Sequence, residues 1–266
     1  MAVKTNGFIQ GLEAQFDQPI RYRIQLDSEY LPLEIGRQLD VQFLQEKACI
    51  HCGRRVRKLY QNGYCFPCVQ ALAECDLCIV KPHECHFHEG TCRDEAWGRE
   101  HCMTPHYVYL AFSSDVKVGL TRRGRELVRW MEQGAQQAMI IAEVPTRKLA
   151  GELEMEIARN LPDKTNWRKM LTHDGSPMDL KSARQQVIAA LPEQWLTFVF
   201  ADPTVEHHFL FPREAGFTPE LKSLSLDKRT SLAGVIRGIK GQYLLLDDGV
   251  FNLRKHTGYR VQISIS

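Results

Sequence analysis

The chain predicts an α+β protein of several domains, and three observations carry that expectation. Both ends read as short, partly alternating β segments. A stretch at 48–104 holds all nine cysteines among many charges and few apolar runs, so it needs a staple in place of a conventional core. Residues 105–189 alternate strands with helices, as a small α/β domain with a short mixed sheet does. The 266 residues therefore divide into a β-rich segment at 1–47, a zinc-binding module at 48–104, an α/β domain at 105–189 and a β-rich domain at 190–266.

At the N-terminal end the strands are GFIQGLEAQ, YRIQL and LDVQFLQ. An amphipathic helix around Leu180–Leu191 closes the α/β part. Beyond Gln194 the pattern returns to strand, with WLTFVFA, HHFLFP, LAGVIRGI, QYLLL, GVFNLR and YRVQISIS. Asp247-Asp248-Gly249 is a hairpin turn, because glycine takes the positive φ required there. The two β-rich ends pair into one small barrel with the other parts inserted between them, or stand as two separate pieces.

Composition narrows the function classes. With 44% hydrophobic and 25% charged residues the chain reads as an ordinary globular protein. A net charge of +2 gives little global pull on polyanions, so any such attraction must come from local clusters. No apolar run approaches ~18 residues, so no membrane partner is expected. MAVKTNGFIQ lacks the apolar core of a secretory signal, and nine cysteines in that context favour reduced thiols and metal in the cytoplasm.

The cysteines carry the clearest chemistry. Cys49-Ile-His-Cys52 and Cys65-Phe-Pro-Cys68 are two CxxC knuckles twelve residues apart, and together they supply four thiolates to one tetrahedral zinc. Gly53 and Gly63 sit at the tight turns beside them. A redox dithiol would want one CxxC at a helix start after a strand, a context not expected here. Cys75, Cys78, Cys85 and Cys92 make the simplest second site, with His88 able to replace either of the last two and interleaved pairing also open. Both sites would be structural, since protein ligands fill the coordination sphere. Arg54, Arg55, Arg57 and Lys58 beside the first knuckle suit phosphate contacts.

In the α/β part, alternation along Tyr107-Val108-Tyr109-Leu110 puts both tyrosines on one face. A loop through Ser113, Ser114 and Asp115 leads to Val116-Lys117-Val118-Gly119, where Gly119 permits close approach to the backbone. The next helix presents Arg125, Arg129 and Trp130. Glu154 lies one turn from Ala150 and Ile157 on the core-facing side of a later helix, and a carboxylate there needs a partner or a cation. Arg129 is the mundane partner, in a structural ion pair.

At these residues the chain resembles the GIY-YIG nuclease superfamily. Tyr107-Val108-Tyr109 matches the first motif, with Tyr107 where glycine is usual, and Lys117-Val118-Gly119 matches the second, with Lys117 in place of tyrosine. Arg129, Glu154 and Asn166 match the arginine, the metal-binding glutamate and the downstream asparagine, over about sixty residues. The resemblance implies that Glu154 holds magnesium or manganese, that Arg129 binds phosphate and that Tyr109 positions water. It leaves Lys117 as a base of lowered pKa or a phosphate clamp. Arg122, Arg123 and Arg125 add cations on the same rim, Lys164, Arg168 and Trp167 would grip the strand beyond it, and Asn166 would also contact nucleic acid. With its cysteine-rich head and its GQYLL and GVFNLRKHTGY tail, the whole chain also resembles a conserved bacterial zinc-containing family of unknown function.

The expectation is a metal-dependent endonuclease acting on DNA or structured RNA. A non-catalytic, zinc-dependent nucleic-acid-binding protein on the same fold is the alternative, and an interaction adaptor is a third.

Overall fold

A computed structural model describes residues 3–159, 161, 166–172 and 178–266. In chain order its elements begin with strands β1 (Val3–Gln15), β2 (Arg21–Leu26), β3 (Glu29–Leu33) and β4 (Gln38–Lys47), followed by helices α1 (Phe66–Ala71) and α2 (Glu95–His101). Then come β5 (His106–Phe112), β6 (Val116–Arg122), α3 (Glu126–Glu132), β7 (Gln137–Val144), α4 (Arg147–Ala158), α5 (Trp167–Thr172), α6 (Leu180–Ala189) and α7 (Glu193–Leu196). The chain closes with β8 (His207–His208), β9 (Ser223–Leu224), β10 (Ser231–Lys240), β11 (Tyr243–Leu246), β12 (Gly249–Asn252) and β13 (Tyr259–Ile265). Sheets, helices and a four-cysteine cluster compatible with a zinc module make a mixed α/β protein. Among the described residues no helix is long and apolar enough to cross a membrane.

The chain forms two compact units, Met1–Gln70 with Leu210–Ser266, and Ala71–Phe209. Their boundary falls inside the cysteine-rich stretch. The first two CxxC knuckles belong to one unit and the remaining five cysteines to the other, so 48–104 is not one module.

The first unit is built on a nine-stranded sheet of order β3-β2-β1-β13-β4-β10-β11-β12-β9. Strands from the two ends of the chain alternate in it: β13 lies between β1 and β4, pairing antiparallel with both. Alternation makes the core, as in β13, where Tyr259, Val261, Ile263 and Ile265 are buried and the residues between them are half-exposed. A register shift between Ile9 and Gly11 lets β1 pair with β13 through its first half and with β2 through its second. At the start of β12, Gly249 has φ +151° and a Cβ there would lie 2.4 Å from the Lys222 carbonyl, so only glycine fits.

The second unit carries a four-stranded sheet of order β6-β5-β7-β8. Expected as mixed, it is antiparallel at every pairing among the described residues. The tight Ser113–Asp115 turn forces β6 back along β5, and α3 returns β7 on the other side of β5. Val108, Leu110 and Phe112 pack with Ala150, Leu153 and Ile157 of α4 and with Leu180, Val187 and Trp195. The run WLTFVFA, expected as a strand, instead begins in α7. Pro192 opens that turn, Trp195 buries against the core, and Val199 keeps a single bridge to Ala142. HHFLFP contributes the two residues of β8.

Candidate functional site

Two places in the molecule concentrate chemistry, one in each unit. In the first unit, Cys49, Cys52, Cys65 and Cys68 bring their sulfurs within 4.8 Å of one another. Backbone turns do this work. The Gly53 N–H donates to the Cys49 carbonyl at 2.9 Å with Gly53 at φ +69°, and the Val69 N–H donates to the Cys65 carbonyl at 3.0 Å. Cys52 and Cys65 lie 3.7 Å apart, Sγ to Sγ. Four thiolates at Zn–S distances of about 2.3 Å form a tetrahedron with edges of about 3.8 Å, so the cluster is compatible with zinc. Burial pushes the Cys49 thiol up, but the N–H groups of Cys52, Cys65 and His51 outweigh it and bring the thiol down to about 6.

Cys65 does stand at the start of a helix, α1, contrary to the sequence expectation. The convergence of four sulfurs, not the missing helix, is what separates this arrangement from a redox dithiol. Beside it Arg54, Arg57 and Lys58 are exposed. Arg55 is already engaged: it pairs with Glu46 and its guanidinium lies 4.5 Å over the Phe8 ring.

The second place lies around Tyr109. In the sheet Tyr109 pairs with Gly119 and Ala111 with Lys117, so Tyr109, Gly119 and Lys117 share a face. The Tyr109 ring lies across Gly119, where a Cβ would sit 2.6 Å from the hydroxyl. Trp130 of α3 closes on the ring edge-on at 5.6 Å, leaving Tyr109 1% exposed. The hydroxyl donates to Gln133 Oε1 at 2.9 Å and accepts from Arg129. Replacing Gly119 by alanine is expected to push the ring off its seat at a cost of about 1–3 kcal/mol, read as a lower denaturant midpoint. An unchanged midpoint would mean the seat is soft.

Glu154 completes the group. It is partly buried on α4, and its side chain makes no ion pair or hydrogen bond among the described residues. The structural ion pair expected with Arg129 is therefore not formed. Burial raises the Glu154 carboxyl to about 7, against the pull of Arg129 and then Arg147, whose charges lie nearby. The field of Glu154 also reaches the Tyr109 hydroxyl. Tyr109, Arg129 and Glu154 thus converge.

Against this geometry stand the comparisons. The sequence profile of a family described as protein of unknown function (DUF2797) matches residues 36–261. The chain belongs to the DUF2797 family. No curated protein and no solved structure matches it.

In this DUF2797 chain the matched span takes in both cysteine groups and the Tyr109 cluster. The remaining residues singled out in the sequence are more dispersed. Arg123 and Arg125 are exposed, and Arg123 reaches Glu143 at 3.4 Å. Arg122 is half-buried and donates to the Glu100 carbonyl. Asn166 Oδ1 caps α5, accepting from the N–H of Arg168 at 3.0 Å. Lys164 lies outside the described residues.

Two residues that the sequence reading passed over join the cluster around Tyr109 and Glu154. Gln133 stands four residues after Arg129 on the same helical face. Arg147, Gly151 and Glu154 fall at i, i+4 and i+7 of α4, one stripe facing one way, and that spacing was the available signal. Gly151 makes the packing possible: a Cβ there would lie 2.4 Å from the His83 backbone nitrogen.

Proposed function

We propose that this protein is a metal-dependent endonuclease of GIY-YIG type that hydrolyses phosphodiester bonds in DNA or structured RNA. The observation that carries the reading is Glu154: a partly buried carboxylate, unpaired among the described residues, with two arginines nearby and neither bonded to it. Such an acid is costly unless it serves a cation. One carboxylate suits magnesium or manganese that keeps most of its water. An ion held there would supply charge stabilisation at the scissile phosphate.

The chain's own residues do the rest. Arg129 offers its guanidinium to the phosphate oxygens. Tyr109, buried and bonded to both Gln133 and Arg129, holds that guanidinium in place and does not itself reach solvent water. Lys117, on the same face, clamps phosphate as an ammonium.

The withdrawal of Tyr109 from solvent, with Lys117 in the tyrosine position, favours a second reading: a nucleic-acid-binding protein that does not cut. One assay separates the two. Purified protein is incubated with single-stranded, duplex and branched DNA and RNA, with and without magnesium or manganese, beside Glu154→Ala and Arg129→Ala. Metal-dependent cleavage lost in both variants is the expected result. Salt-sensitive binding without cleavage supports the second reading, and no binding to any substrate counts against both.

A further inference from the structure

The second unit contains five cysteines that the nuclease reading does not use. Cys78, Cys85, Cys92 and Cys102 come from four separate turns and line one cavity of about 10 Å³, roughly the room that one water or ion requires. Ala73, Phe87 and Trp97 complete its apolar walls. Cys75, whose CxxC spacing with Cys78 marked it in the sequence, is buried but lies outside that lining. His88 is engaged elsewhere, with Nε2 3.1 Å from Lys148 Nζ.

We propose that Cys78, Cys85, Cys92 and Cys102 hold a second structural zinc ion, with Cys102 in the place that sequence spacing gives to Cys75. The inference is independent of the nuclease reading.

Charge and hydrogen bonding around the cavity support it. Four thiols give up four protons on binding Zn²⁺, leaving a site of net charge −2 that must be compensated where it is buried. Arg147 supplies the opposite charge. Its guanidinium lies near Cys102, Cys78 and Cys85, and its buried Nε–H has no acceptor among the described residues. A metal-bound thiolate provides one. The same arginine is pinned to the cysteine turns by its Nη2, which donates to the Ile79 carbonyl at 2.7 Å, and by its N–H, which donates to the Cys102 carbonyl at 2.8 Å.

A rival set exists. Asp76, Cys78 and His86 bring ligand atoms within 4.8 Å of one another. Asp76 is already held by Arg93 at 2.6 Å and by the Cys78 N–H, however, and His86 Nδ1 lies 2.7 Å from the Thr91 hydroxyl. That set offers three ligands, and Asp76 would have to share its carboxylate with Arg93. The four thiols give up only weak S–H contacts, such as Cys92 to the Asp94 carbonyl at 3.2 Å. Their sulfurs do not all lie within 4.8 Å of one another and draw in around the ion on binding.

Buried-cysteine variants can fail to fold, so the test uses wild-type protein reconstituted with ¹¹³Cd. Cadmium–proton correlation links each ion to the β-protons of its own cysteines. Two cadmium signals are expected, one coupled to Cys49, Cys52, Cys65 and Cys68 and the other to Cys78, Cys85, Cys92 and Cys102. Coupling of the second ion to Cys75 in place of Cys102, coupling to His86, or a single cadmium signal overturns the proposal. Where the variants fold, Cys102→Ser is expected to drop zinc content from two ions per chain to one, and Cys75→Ser to leave two.

Discussion

Chelating the ion from Cys49, Cys52, Cys65 and Cys68 is expected to unfold residues 49–70 while leaving the sheet of the first unit in place. That segment has almost no core of its own. Between β4 and α1 the buried residues are Ala48, Cys49, Gly63 and Cys65, and the arginines and Lys58 around them are exposed. What remains is local backbone hydrogen bonding, including the bridges of Ala48 with Arg55 and Tyr60 with Tyr64. Structural zinc in such settings contributes an apparent binding free energy of about 10–16 kcal/mol at pH 7, and its loss leaves the turns without a driving force. Hydrogen exchange is the measurement. The amides of Ile50, Gly53 and Tyr64, bonded in the zinc-ready form, should exchange at least ~10³-fold faster after metal removal, while those of β10 and β13 stay protected. Equal protection with and without metal would show that the knuckles stand without it.

Replacing Glu154 by glutamine is expected to move stability and activity in opposite directions. The Glu154 carboxyl sits at about 7 in the folded protein against 4.5 in the unfolded chain. Between those values the folded state keeps a proton that the unfolded state has released. In metal-free protein, stability from this group is therefore highest at low pH, falls as pH rises through the window from 4.5 to about 7, and stays low above it. The shift corresponds to about 3 kcal/mol at 1.36 kcal/mol per unit. Glu154→Gln removes the charge and keeps the shape, so at pH 8 the metal-free variant should be the more stable protein by up to ~3 kcal/mol, with no difference at pH 4. Denaturant unfolding at the two pH values reads this directly. Cleavage in magnesium should fall roughly 10²–10³-fold in the same variant, since the proposed ligand of the ion is gone. A variant less stable than wild type at pH 8 would mean Glu154 is a structural partner after all.

How much of this was legible depended on how local the signal was. The first cysteine cluster could be read because each CxxC fixes two sulfurs by a single turn. The strands of 231–265 were visible because alternation and the Asp247-Asp248-Gly249 turn are also local. β3 was overlooked because Pro32 interrupts its pattern, and proline is tolerated there since β3 lies at the sheet edge. WLTFVFA is an apolar run whose length and periodicity suit strand or helix equally, and Trp195 settled it by burying in the core of the second unit. The cysteines that line the second cavity are separated by six, six and nine residues, with no knuckle among them, so spacing pointed to Cys75, which lies outside that lining, and gave no signal for Cys102. At the Tyr109 cluster, sequence order identified the residues. The burial of Tyr109 under Trp130, and the lack of an ion pair at Glu154 among the described residues, depend on packing across α3, α4 and the sheet, which no short motif encodes.

The central claim is that Glu154, which makes no ion pair or hydrogen bond among the described residues, serves to hold a divalent cation. Manganese titration of the zinc-loaded protein at pH 8, followed by the loss of free Mn²⁺ signal in electron paramagnetic resonance, tests it most directly. One manganese per chain bound by the wild type and lost in Glu154→Gln, with zinc content unchanged, is the expected result. Uptake of manganese that Glu154→Gln leaves intact, or no uptake by the wild type at millimolar metal, would contradict it.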